Sequence, residues 1–169
     1  MRKVLIAVTA TFLLVTGAPM LNAAETNPYG TSTVDPAGPN EIILTLAKGK
    51  SQSTFTMGRL LKLKSSTITI YEPFLKKRQT FTVIPLKTLF AFVGIKGKDM
   101  VSTVALNDYI FKATATQFTD SQGFLAIKRN GIDIPYDQGG PIRIIFPDKS
   151  KWAKNLDAWN WSIASIVVK

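Results

Sequence analysis

Apolar and polar residues alternate in short runs along most of this chain, and the runs are separated by turn chemistry. Residues 41–47 and 67–71 alternate as strands, and residues 81–84 form another short apolar run. Between the first two, residues 56–63 space Met57, Leu60 and Leu61 as in a short helix. Pro85 suits the first turn of a second helix, because its missing N–H would have no partner there. Leu86, Leu89, Phe90 and Val93 share one face of that helix, and Gly94 closes it. Residues 96–99 read as a turn. Residues 101–106 and 109–114 read as strands around the Asn107-Asp108 corner.

The stretch 123–168 carries the most information. The apolar run 124–128 leads into Asn130-Gly131, a pair that tolerates the positive φ angles of a tight type I′ turn. Ile132 and Ile134 then alternate as a return strand until Pro135, which cannot donate to a ladder. Gly139-Gly140-Pro141 forms a loop that allows close backbone approach. Ile142, Ile144 and Phe146 alternate around Arg143 and Ile145, so a cation sits on a strand with apolar groups on both faces. Trp159 and Trp161 are two apart and would share a face of a last strand over 159–168. Many strands and few short helices predict one sheet-dominated α+β domain over 41–169, with no internal repeat and no second domain.

The N-terminal pattern differs. Arg2 and Lys3, an apolar core over 4–15 and the small-residue exit Leu21-Asn22-Ala23-Ala24 predict a signal peptide over 1–24, too short and wrongly flanked for a spanning helix. Residues 25–40, rich in Pro, Gly, Ser and Thr, predict a flexible lead-in. Cleavage would leave 145 of the 169 residues, with no further apolar stretch long enough to cross a bilayer. A periplasmic or secreted protein is expected. It would be stabilised without disulfides, since the sequence has no cysteine. Loss of Arg2 and Lys3 takes the formal charge from +10 to +8. That balance favours an anionic partner, whether a membrane surface, an acidic face of another envelope protein or a small anion, and export argues against nucleic acid.

The sequence also has no histidine. Without imidazole or thiol there is no Ser-His-Asp or Cys-His arrangement and no zinc or copper site of the usual kind, so no catalytic or metal-ligating residue is expected. Asp133 and Asp137 could form an acid/base pair, but turns attract aspartate for backbone hydrogen bonding alone. Arg143 has two readings. Beside the Gly139-Gly140 loop its planar fork suits an oxyanion; alternatively it is structural, paired with a buried carboxylate such as Asp108 or placed at the sheet rim. Tyr109 and Arg129 are further candidates of the same kind. Trp159 and Trp161 could pack a core or cradle a flat ligand.

Leu125-Ala126, Asn130-Gly131, the run from Gln138 through Gly139-Gly140-Pro141-Ile142 to Arg143, and Pro147 resemble, in order and spacing, the signature of the oxidoreductase molybdopterin-binding domain of the sulfite oxidase type. The segments around Phe81, Pro85-Leu86, residues 105–109 and the closing Trp-rich strand extend the resemblance over 41–169. It implies that fold, and a cofactor or oxyanion pocket drawn from Gln138, Gly139, Gly140, Arg143, Tyr109 and Arg129. Where the family pattern has a histidine this chain has Gln138; Asn160 replaces a lysine, Val83 replaces a glycine, and the family's metal-ligating cysteine has no counterpart. The expectation is a non-catalytic, cofactor-free binding or partner module for an anionic ligand or an envelope protein. The alternative is a molybdenum-cofactor oxidoreductase in which the dithiolene and oxygen ligands hold the metal. A purely structural accessory domain is a third reading.

Overall fold

The computed structural model describes residues 38–169; the expected signal segment over 1–24 and most of the expected lead-in over 25–40 lie outside the described residues. Strands β1 (Ile42–Lys48) and β2 (Ser51–Thr56) lead into helix α1 (Met57–Leu61). Strands β3 (Ser66–Glu72) and β4 (Lys77–Pro85) lead into α2 (Leu86–Ala91), and β5 (Met100–Ala105) and β6 (Ile110–Thr114) lead into α3 (Ala115–Asp120). Strands β7 (Phe124–Arg129), β8 (Arg143–Ile145) and β9 (Ile163–Val168) complete the order, with 3-10 turns at Tyr136–Gln138 and Leu156–Ala158. This is the expected sheet-dominated α+β architecture.

The strands form two sheets, ordered β2-β1-β9-β5-β6 and β3-β4-β7-β8. Neighbours run antiparallel except β1 and β9, which are parallel. Small irregularities admit extra apolar groups to the core. A register shift between Ile42 and Leu44 lets both Ile43 and Leu44 be buried, and another opposite Thr82 and Val83 leaves Ile127 as the extra residue on β7, where Ala126 and Ile127 are both buried. One apolar cluster draws on both sheets and includes Leu44, Phe55, Phe81, Ile144, Phe146 and Ile166. Main-chain bonds tie β8 to the entry of β9: Ile144 N–H donates to the Asn160 carbonyl at 2.8 Å, and Ile163 N–H to that of Ile142 at 3.1 Å. Residues 160–163 therefore stitch one sheet to the other, and the candidate site lies beside them.

The helices have physical starts and stops. Thr56 Oγ1 accepts from Arg59 N–H and caps α1. Pro85 precedes α2, and the return at Gly94 (φ 69°) is closed by Ile95 N–H donating to the Phe90 carbonyl. Thr114 and Gln117 form a reciprocal capping box at the start of α3. No helix among the described residues is long and apolar enough to cross a membrane.

Three expectations change. Asn130 (φ 51°) and Gly131 (φ 82°) turn as expected, but the return strand over Ile132 and Ile134 shrinks to one bridge between Arg129 and Ile132. Pro135 and the 3-10 turn after it divert the backbone, and β7 takes β8 as its partner instead. The closing strand starts at Ile163 rather than Trp159, because Trp159 ends a 3-10 turn and Ser162 adopts φ 48°. The carboxylate that pairs with Arg143 is Glu72 and not Asp108, which sits exposed at the corner after β5 with φ 64°.

Candidate functional site

Period-two alternation along β3 sets the site from below. Ile68, Ile70 and Glu72 share a face, and the last two are buried, so the strand carries a carboxylate into the interior. Arg143 enters from β8, all of whose residues are buried. Arg143 Nη2 donates to Glu72 Oε1 at 2.7 Å, and both side chains are fully buried. The guanidinium lies 4.9 Å from the Trp161 ring centre and 6.0 Å from that of Phe81, so aromatic faces take up part of its charge. Glu72 Oε2 accepts the Leu75 N–H at 2.5 Å, which ties the β3–β4 connection to the same carboxylate.

Above this pair, Gly139 (φ 83°) presses against Trp161. A Cβ on Gly139 would lie 3.1 Å from the indole Cγ and 3.4 Å from Arg143 Nη1. A Cβ on Gly140 would come within 1.8 Å of the Ile134 carbonyl oxygen, so only glycine fits there. The amides of this loop are used internally: Gly139 N–H donates to the Tyr136 carbonyl and Gly140 N–H to that of Pro135. Arg129 Nη2 donates to Gln138 Oε1 across the same turn. The structure thus gathers Arg129, Gln138, Gly139, Gly140 and Arg143 into one closed knot around the inner side of Trp161.

The outer side of Trp161 borders a cleft of about 260 Å³, walled by Phe74, Tyr109, Trp159 and Trp161. Phe74 meets Trp161 edge-on at 4.1 Å and Trp159 at 6.4 Å between ring centres. Tyr109 is thus the one predicted site residue on the open side. Its hydroxyl donates to the Asp157 carbonyl at 3.1 Å, and desolvation, followed by the Asp157 charge, raises its pKa above the usual phenol value. The two tryptophans are not neighbours on a strand as expected, yet both reach this cleft. Trp159 Nε1–H donates to the Trp152 carbonyl, which fixes its ring.

Sequence reasoning noted Asn160 only as a replacement. In the structure it is 1% exposed and borders the cleft. Its Nδ2 donates to the Thr103 carbonyl and to Thr103 Oγ1 at 3.0 and 3.1 Å, while Oδ1 is buried without a hydrogen-bond partner. A buried acceptor left open costs about 1–3 kcal/mol, so it marks a position where a donor would be held. Glu72 was also missed, although extending the alternation of Ile68 and Ile70 by two residues places it inside.

The donor set does not fit a protein-ligated molybdenum centre. The sequence has no cysteine, and among the described residues no group of three or more His, Cys, Asp or Glu is placed to share a metal. Among the described residues the cleft wall contains no lysine or arginine to meet a cofactor phosphate, and the guanidinium behind it is matched to Glu72.

Against known proteins, the oxidoreductase molybdopterin binding domain matches residues 72–162, more than half of the chain. The match begins at Glu72, the last residue of β3, and includes Arg143 and the residues that wall the cleft. No individually curated protein matches. Among solved structures, the sulfane dehydrogenase SoxCD from Paracoccus pantotrophus superposes with a TM-score of 0.61 at 15% sequence identity. That likeness covers 79% of this chain and 39% of the other, so this chain spans well under half of that protein's length.

Proposed function

The chain belongs to the oxidoreductase molybdopterin binding domain family, and from that premise we propose that it is an exported, non-catalytic member that has kept the fold and its cleft but not the means to ligate a metal. The observation that carries this reading is the Arg143–Glu72 pair. The cation that the family resemblance assigns to an oxyanion is fully buried and answered by an internal carboxylate, in a chain without a thiolate. What remains open is an aromatic cleft with one unfilled acceptor, Asn160 Oδ1. Such a cleft suits a flat ring that carries an N–H donor and stacks beside Trp159 and Trp161. The N-terminal pattern of Arg2-Lys3, apolar core and small residues supports export.

Turnover tests this reading. The protein is recovered from its native cells and mixed with ferricyanide and either sulfite, after the sulfite oxidase resemblance, or a sulfane-sulfur compound, after the name of SoxCD. The expected outcome is no reduction above the buffer rate. Turnover that follows the protein through purification, and falls with it on depletion, would overturn the non-catalytic reading.

A further inference from the structure

A second cavity lies away from the Trp161 cleft, between α2 and α3, with a volume of about 590 Å³. That size is within the range of small-molecule sites, roughly 300–1,000 Å³. Its floor is apolar: Phe90, Ile95 and Ala115 are buried there, and Ala91 forms a more open wall. Its rim carries three exposed charged residues, Lys87, Lys96 and Asp120. Among the described residues neither lysine takes part in an ion pair.

The walls are tied in place. Lys48 Nζ donates to the Gly94 carbonyl at 3.0 Å and to Asp99 Oδ2 at 2.5 Å, and that same oxygen accepts the Lys96 N–H at 2.8 Å. Thr116 donates to the Gly97 carbonyl through both its N–H, at 2.9 Å, and its Oγ1, at 3.0 Å. The loop between α2 and β5 is therefore anchored to β1 on one side and to the first turn of α3 on the other. A site held this way loses little ordering entropy when it is filled.

We infer that this cavity is a binding site for a medium-chain aliphatic monocarboxylate, with the chain on the Phe90–Ile95–Ala115 floor and the carboxylate at the Lys87–Lys96 rim. Phe90, Ile95 and Ala115 offer no hydrogen-bonding side chain, and the Oγ1 of Thr119, which also lines the cavity, is already committed to the Thr116 carbonyl at 3.0 Å, so the body of the ligand is apolar. The rim holds two cations and one carboxylate, leaving one net positive charge. A single negative charge is matched there, and a doubly charged phosphate is not.

Isothermal titration calorimetry of the full protein with hexanoate, octanoate and decanoate tests the site. Affinity is expected to rise about fourfold for each added methylene. Octan-1-ol should bind more weakly than octanoate. Lys87→Ser and Lys96→Ser, both at exposed positions, should each weaken octanoate about threefold without changing the melting temperature. Ala91→Trp, which fills the cavity from its open wall, should abolish binding. Equal affinity for octanol and octanoate, no dependence on chain length, octanoate binding that survives Ala91→Trp, or no octanoate binding by the wild type would each overturn the proposal. None of these outcomes bears on the Trp161 cleft.

Discussion

Arg143 shows how one side chain can be read correctly in kind and incompletely in partner. A cation on a strand filled with apolar residues announces either a ligand or a buried counter-charge, and that choice was legible. The identity of the counter-charge was not, because Glu72 lies 71 positions away on the opposite edge strand of the same sheet, and only the folded chain brings the two side chains together. Two buried charges are costly to desolvate and are held by each other's field, so removing one is worse than removing both. Arg143→Met is expected to cost about 3–5 kcal/mol in urea unfolding, whereas Glu72→Leu combined with Arg143→Met should recover most of the loss. A double variant no more stable than the single one would show that the two side chains are not coupled. The Asn160 acceptor gave no sequence signal, since its openness depends on where Thr103 sits.

At the scale of elements, legibility followed local chemistry. Pro85 and Gly94 bracketed α2, and Asn130-Gly131 gave its turn, because those residues act through their own backbone angles. β2, Ser51–Thr56, is polar on most positions and pairs with β1 through main-chain bonds, so no periodicity marked it. α3 was missed although Thr114 and Gln117 spell its capping box, since only Ala115 and Phe118 of its residues are buried and the apolar signal is thin. The loop at Asp99 makes a prediction at this scale. The Lys48 hydrogen bond, followed by the Lys96 N–H, holds the Asp99 carboxyl below its ordinary pKa. Because the folded-state value is the lower one, the stabilisation is complete above the unfolded-state value of about 4 and is lost as pH falls through the folded-state value. Asp99→Asn should therefore lower the melting temperature near neutral pH, and the gap from wild type should close in acid. A gap that stays constant down to about pH 3 would contradict the tie between this loop and β1.

Over the whole molecule, the resemblance rested on motif order and spacing, and the fold bears it out through the family match and the superposition on SoxCD. The Gly139-Gly140 loop spends its amides on Tyr136 and Pro135, and the arginine of the signature spends its charge on Glu72. The signature is therefore legible as architecture, while the chemistry depends on side chains that fold in from elsewhere. Molybdenum and pterin content, measured by mass spectrometry and by fluorescence after oxidation on protein recovered from its native cells, tests this account most directly. The account predicts both far below one per chain; near-stoichiometric molybdenum and pterin would contradict it.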